Sequence, residues 1–407
     1  MLNSLKSEFL LDPDVIFLNH GSFGACPRPV FEAYQQWQRE LERQPVDLFG
    51  RRSAALLAEA RAKLAAYLNV EADNVVYFPN PTTAMNVAAR SLALPRPGQS
   101  PLLAPGDEIL TTDQEYPAMD RTWEFIAHIT AARYVHQPIP LPLTSEADFV
   151  DALWAGVNER TRVIFLSHIT CSTALIFPVQ EVCRRAREAG IITIVDGAHA
   201  VSQIPLDLTA IGADIYAGAC HKWLCAPKGA AFLYARPAAQ AWLEPLVVSR
   251  GWGHQPPAGV SSLVAYHEGQ GTRDLSAFLS VPAAIAFQAE HDWDSQRRRC
   301  HALASATRRR LNAFTGLDSL CPDSEQWFSQ MVSIRIPGGA PGQEGAPALV
   351  ELRNRLYQDY HIEMPVMNWR GQGLIRVSLQ AYNDESDVDT LIEALERWLP
   401  QAAQPAR

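Results

Sequence analysis

Two stretches decide the fold: Ile191-Ile192-Thr193-Ile194-Val195-Asp196-Gly197-Ala198-His199, and Asp214-Ile215-Tyr216-Ala217-Gly218-Ala219-Cys220-His221-Lys222-Trp223. Each is a short apolar run that ends in polar residues, the pattern of a buried strand delivering side chains at its carboxyl end. In an open α/β sheet, ligands bind in the crevice beyond those carboxyl ends. The segment between Asp196 and Lys222 is long enough for a connection and one further strand. Both side chains are therefore placed to enter one crevice.

Outward from this pair the alternation continues. Glu108–Thr112, Tyr134–Gln137, Arg162–Ser167, Ile191–Asp196, Ile215–Ala217 and Ala230–Ala235 read as strands. Thr82–Leu94, Ala118–Thr130, Ala147–Val157 and Val179–Ala189 read as helices that separate many of them. Two earlier helices read at Pro29–Arg43 and around Arg52–Leu68, with Val75–Phe78 a short apolar run after them. Strands alternating with helices predict an α/β fold whose mainly parallel sheet is wrapped on both faces. Val281–Phe314 reads as one long Ala- and Arg-rich helix. Met331–Ile336 (strand), Ala348–Tyr360 (helix), Leu374–Leu379 (strand) and Ser386–Trp398 (helix) then form a smaller α+β unit. Pro95–Gly106, His254–Ser262 and Pro337–Pro347 are Gly/Pro-rich loops, the last reading as a mobile surface loop.

A chain of 407 residues exceeds one ordinary core, so two domains are expected. Hydrophobic residues make up 47% and charged residues 19%, the balance of a globular protein. With a net charge of −9 and no Lys/Arg cluster, the chain shows no footprint for nucleic acid or for an anionic membrane surface. The amino terminus has no basic start followed by an apolar core, and no apolar run is long enough to span a bilayer. The cysteines, at 26, 171, 183, 220, 225, 300 and 321, are odd in number, scattered and without CxxC spacing. Reduced thiols in a cytoplasmic protein are the expectation. No HExxH and no spaced Cys/His cluster points to a metal, and no GxGxxG follows the early strands to suggest a nicotinamide cofactor.

An amine and a carboxylate meeting beyond such a sheet are what a pyridoxal 5'-phosphate (PLP) site needs. The amine bonds the cofactor aldehyde, and the carboxylate keeps the pyridine nitrogen protonated so that the ring accepts electrons. The lysine must shed a proton to react, which desolvation and nearby cations favour. His221 beside it adds such a setting. Read singly, Asp196 is equally a helix N-cap after a buried strand, and Lys222 a solvated surface residue.

The combination resembles the class V aminotransferase family of fold-type I PLP enzymes, which includes cysteine desulfurases, kynureninases and isopenicillin N epimerase. The resemblance runs through Leu18-Asn19-His20-Gly21-Ser22-Phe23-Gly24, Asn80-Pro81-Thr82-Thr83-Ala84-Met85-Asn86 and Glu115-Tyr116-Pro117-Ala118. It continues through Ser167-His168-Ile169-Thr170, Gly271-Thr272-Arg273-Asp274, Ile375-Arg376-Val377-Ser378 and Tyr382-Asn383. It implies the PLP-dependent transferase fold of type I, a mainly parallel seven-stranded sheet plus a smaller carboxyl-terminal α+β domain. On that pattern residues 1–30 line the site and join the small domain, 31–280 form the large PLP-binding domain, and 281–407 form the small one.

By resemblance, Lys222 is the Schiff-base lysine, Asp196 the partner of the pyridine nitrogen, and His199 a neighbour of the phenolic O3'. Tyr116 is the aromatic ring over the cofactor face. Thr82 and Thr83, at a helix start, and His221 receive the phosphate, and the alternative for the threonines is a simple cap. Thr272 reaches the phosphate of the neighbouring subunit, which implies a homodimer with shared active sites. Arg376, at a short strand of the smaller unit, forks onto the substrate α-carboxylate. Asn19, His20 and Gly21 line the substrate side. Two positions depart from the family: Ala219 stands where relatives carry a hydroxyl or amide donor, and Cys171 stands near O3' where relatives use Ser or Asn.

Lys222, once released by substrate, is the expected base at Cα. Desulfurases need a nucleophilic Cys on the loop before the carboxylate Arg; Glu363 to Gly373 has none. The LNHGSFG, HKW and GTRD signatures look instead like the isopenicillin N epimerase branch, which includes racemising enzymes and C–S lyases. An epimerase needs a second proton donor, for which Tyr116, His20 and Cys225 are the candidates. Arg250 or Arg370 is expected to recognise a distal acidic group on an amino-acid substrate, unless Arg250 is simply a surface residue. Amino transfer to a keto acid, and a non-catalytic PLP-binding homologue, are the alternatives.

Overall fold

The computed structural model describes residues 5–96, 98, 100–339 and 346–399. Positions 340–345 of the Pro337–Pro347 loop, and 97 and 99 of the earlier loop, lie outside the described residues. The strands, numbered in chain order, are β1 (Ile16–Phe17), β2 (Val75–Phe78), β3 (Glu108–Thr112), β4 (Arg133–Gln137), β5 (Thr161–Ser167) and β6 (Ile192–Asp196). They continue as β7 (Ile215–Ala219), β8 (Ala231–Ala235), β9 (Met331–Ile336), β10 (Ile362–Glu363), β11 (Val366–Trp369) and β12 (Gln372–Ser378).

Seven strands make the central sheet, in the order β2-β8-β7-β6-β5-β3-β4. Neighbours from β4 through β7 pair parallel, while β8 is antiparallel to both β7 and β2. Helices on both faces bury these strands, which is why β2, β3, β7 and β8 are buried at every position and read as continuous apolar runs. β4, at the edge, is the strand most open to solvent, and β5 exposes Arg162. Because β2 and β3 to β7 share one direction, Phe78, Thr112, Ser167, Asp196 and Ala219 all end at one rim of the sheet. The expected α/β architecture is borne out, with the run at Val75–Phe78 as its seventh strand.

The smaller unit holds the antiparallel sheet β11-β12-β9. The long helix expected over 281–314 is two helices, Val281–Glu290 and Trp293–Thr315. They break where Asp292 adopts φ +45° and caps the second by accepting the Ser295 N–H. The amino-terminal segment crosses onto this unit. Leu5 N–H donates to Ala381 O, β1 pairs parallel with β10, and Ser378 N–H donates to Leu18 O. Among the described residues no helix is long and apolar enough to cross a membrane.

Candidate active site

A cavity of about 180 Å³ opens at the rim of the sheet, lined by residues that include Ser167, Asp196, His199, His221, Lys222, Tyr116, Thr82 and Cys171. β6 delivers Asp196, and β7 followed by a turn delivers Lys222. Gly197 is required between them, because a Cβ there would collide with the Tyr216 ring.

Lys222 Nζ lies 3.2 Å from His199 Nε2. The indole of Trp223 can only donate, so its 3.4 Å contact makes His199 Nδ1 the acceptor and leaves the imidazole hydrogen on Nε2, facing the amine. Lys222 Nζ then accepts it as a free base. The electrostatics agree: desolvation lowers the lysine pKa, with Arg376 adding to that and Cys171 and Asp196 opposing it. Burial, followed by the charge of Lys222, also holds His199 well below the usual histidine range. One oxygen of Asp196 accepts the Ala198 N–H at 2.9 Å, and no side-chain donor among the described residues occupies the other. Burial raises its pKa, against the pull of that bond and of Lys222.

Arg376, in β12, is 3% exposed and donates only to neutral acceptors. Its partners are Cys171 O (2.7 Å), Cys171 Sγ (3.2 Å), Ser22 Oγ (2.9 Å) and, at 3.5 Å, Asn19 Oδ1. Its Nε is buried without a partner. Ser22 in turn donates to Asn19 Oδ1 at 2.6 Å, and Asn19 Nδ2 to Glu363. Ser22 had no role in the sequence reading, although it stands inside the quoted motif.

The helix Pro81–Ala93 points its amino terminus at the cavity, capped by Asn80 Oδ1. Thr82 lines the cavity. Thr83 does not: its N–H (2.8 Å) and hydroxyl (3.1 Å) both go to Asn80, which is the cap alternative. His221 lines the cavity with its Nδ1 bonded to Ala230 O at 3.1 Å, and burial lowers its pKa to about 4. Tyr116, 43% exposed, stands at the start of the helix Pro117–Thr130. Burial raises its phenol pKa, as do Cys171 and Asp196.

Other expected residues lie elsewhere. His20 is fully buried, its Nδ1 3.0 Å from Tyr382 Oη and its Nε2 3.0 Å from Lys222 O. Burial lowers its pKa to about 3. Both nitrogens are engaged behind the Lys222 backbone, so the ring does not face the cavity. Cys225 is buried beside it, with Sγ 3.8 Å from His20 Nε2. Gly21 is packed between Met331, Ser378 and Trp223 side chains. Arg250 and Thr272 are exposed and do not line this subunit's cavity. Arg370 is ion-paired with Asp113. The segment Glu363–Gly373 forms β10, β11 and the start of β12; Cys300 and Cys321 are buried.

These residues fit PLP on the structure's own terms. A lowered-pKa lysine, a buried carboxylate oxygen without a side-chain donor among the described residues and a capped helix start line one cavity, and an uncompensated buried guanidinium stands behind its Cys171 and Ser22 wall. Comparisons with known proteins agree. Residues 17–391 match the family model described as Aminotransferase class-V. The chain is 37% identical over 402 residues to an isopenicillin N epimerase of Amycolatopsis lactamdurans, covering 96% of each chain. It is 26% identical over 416 residues to a probable chloroplastic L-cysteine desulfhydrase of Arabidopsis thaliana, covering 97% of this chain and 85% of the other. Among solved structures it resembles the cystine C–S lyase C-DES, with a TM-score of 0.77 at 20% identity over 95% of this chain and 98% of that one. A C-DES mutant has also been solved with glycine covalently linked to the PLP cofactor.

Proposed function

The chain belongs to the class V aminotransferase family, and from that premise we propose that it removes the Cα proton of an amino-acid substrate at a PLP site centred on Lys222. The proton is then returned in epimerisation, or a β-substituent leaves in C–S lyase-type elimination. One observation carries the reading: Arg376, a buried cation without an anionic partner, shares a cavity wall with Lys222 and Asp196 through Cys171.

When bound, PLP supplies an electron sink for the bond that breaks at Cα. Lys222 Nζ would hold the cofactor and, as a free amine, would take the Cα proton. The open oxygen of Asp196 would hold the protonated ring nitrogen. Thr82, the helix start and His221 would hold the phosphate. The Nη atoms of Arg376 take the α-carboxylate in place of neutral acceptors. With His20 and Cys225 buried behind Lys222, Tyr116 is the remaining candidate among the three for a second proton donor. A desulfurase reading is disfavoured because no cysteine stands in Glu363–Gly373. The exposed Thr272, together with Phe23, Val248 and Trp252 as exposed apolar side chains, supports a homodimer with shared sites. Seven free thiols support a reducing, cytoplasmic setting.

Incubation with PLP should turn the protein yellow, and Lys222→Ala should abolish the covalent link, read by mass after reduction. A wild-type protein that stays colourless sinks the reading. A panel of amino acids in heavy water then separates the outcomes. Deuterium at Cα without net product signals epimerisation, and pyruvate with ammonia signals elimination.

A further inference from the structure

Trp223 follows the lysine in sequence and is fully buried, yet the proposed chemistry gives its indole no task. Both ends of the residue are held. Its carbonyl accepts from Gln288 Nε2 at 2.9 Å, and Gln288 is held in turn by Ser202 Oγ at 2.7 Å. Its ring lies 5.0 Å from that of His20, and beside Gly21, where a Cβ would stand 3.4 Å from the indole. The indole N–H donates to His199 Nδ1 at 3.4 Å, while His199 Nε2 faces Lys222 Nζ at 3.2 Å. A neutral imidazole has one N–H and one acceptor, an ammonium has donors only, and so has an indole. With Nδ1 taken by the indole, an ammonium at Nζ would face an N–H and find no acceptor on this ring. Without the indole, the ring could carry its hydrogen on Nδ1 and accept from that ammonium at Nε2.

We propose that Trp223 is a positioning residue that acts through His199: its N–H locks the imidazole as the Nε2–H tautomer, which holds Lys222 as the unprotonated amine before any cofactor is bound. The proposal rests on the PLP reading above and deepens it, because a carbonyl carbon is attacked by the free amine and not by the ammonium. The other charged and titratable groups around the pair are Asp196 from β6, Arg376 from β12, Cys171, His221 and His20, with Tyr116 also lining the cavity. Trp223→Phe leaves each of them in the chain, so a change at the lysine isolates the tautomer.

The test is competitive acetylation of the full-length protein, stripped of cofactor, with acetic anhydride from neutral to alkaline pH. It is read by mass on the Lys222 peptide, with the exposed Lys63 as reference in the same digest. Acetylation follows the unprotonated fraction, so its pH midpoint reports the amine. Trp223→Phe should raise the Lys222 midpoint by about one pH unit, the size of one net hydrogen bond, and leave Lys63 unmoved. In a His199→Phe background, Trp223→Phe should add nothing further. Nitrogen NMR of the wild type with labelled histidine should show His199 neutral, with its hydrogen on Nε2, and decides the matter if Trp223→Phe does not fold. A hydrogen on Nδ1 overturns the proposal. So does an unmoved Lys222 midpoint in Trp223→Phe, or an equal rise without the imidazole. None of these readouts needs PLP. A wild type that stays colourless with PLP overturns the PLP reading, while the midpoints and the tautomer judge the indole lock by itself.

Discussion

Arg376 is a buried cation faced by Cys171 O, Cys171 Sγ and Ser22 Oγ, all neutral. A buried charge without an opposite charge is costly, and a substrate carboxylate offsets that cost on binding. Arg376→Ala should therefore lower kcat/KM by 1.5–3 kcal/mol, or roughly 10- to 200-fold, mainly through KM. Arg376→Lys should rescue little, because an ammonium cannot reproduce the fork. Cα deuterium exchange measured against substrate concentration reads both, and a fully active Lys variant sinks the bidentate role. His20 is the opposite case. Its place in a glycine-rich motif made it a catalytic candidate, yet its partner Tyr382 is far away in sequence and only packing brings them together. Sequence supplies residue types at strand ends, such as Asp196 and Lys222; it does not say which motif side chains turn away from the cavity. His20→Leu should cost about 2–4 kcal/mol in urea unfolding, because it leaves Tyr382 Oη and Lys222 O without this partner, while the folded fraction still exchanges Cα protons.

The helical turn His20–Phe23 brings Ser22 to Arg376 and Phe23 to the cavity. It ends at Gly24, with φ +69°. A Cβ there would collide with His221 O and stand 2.9 Å from Lys222 Cα, so both backbone conformation and space require glycine. Gly24→Ala should reduce PLP loading more than it reduces helix content; equal PLP affinity by absorbance titration would count against this account. The central elements were legible in sequence because fully buried parallel strands read as apolar runs between amphipathic helices. The hairpin β11–β12 was only half legible. Its second strand is apolar, but Val366–Trp369 is short, and its turn residue Arg370 adopts φ +51°, which composition does not announce. Arg370 was read as a candidate for a substrate acid. Its guanidinium instead holds Asp113, whose side chain is 2% exposed, and so ties this hairpin to the end of β3. Arg370→Ala should cost about 1–3 kcal/mol in unfolding, since it strands a buried carboxylate; Arg370→Ala with Asp113→Asn should recover part of that. Loss of activity on acidic substrates alone, with stability unchanged, would restore the substrate role.

Across the described residues, besides His199, burial holds four histidines neutral: His20 and His168 are lowered to about 3, and His221 and His267 to about 4, each mainly by desolvation. Unfolded, each returns to the ordinary histidine value near 6.5. Above that pH neither state carries the protons, and the groups have no effect. Below it the unfolded chain binds protons that the folded chain refuses, so stability is lost as pH falls from about 6.5 towards 3–4. Each fully differential proton is worth up to about 1.4 kcal/mol per pH unit. Four such groups can therefore remove several kcal/mol between pH 6 and 5, a large share of the 5–15 kcal/mol typical of a folded domain. Urea midpoints of the apoprotein should fall steeply over that interval, well above the pH at which exposed carboxylates protonate. PLP should soften the fall. Its phosphate beside His221 favours the protonated ring, which removes one histidine from the set, and ligand binding to the folded state adds its own stabilisation. The informative comparison is the slope against pH, because ligand binding alone raises every midpoint without changing the slope, whereas a His221–phosphate contact flattens it. Parallel apo and holo curves from pH 7 to pH 5 would remove His221 from the phosphate site while leaving the acid sensitivity of the other three intact.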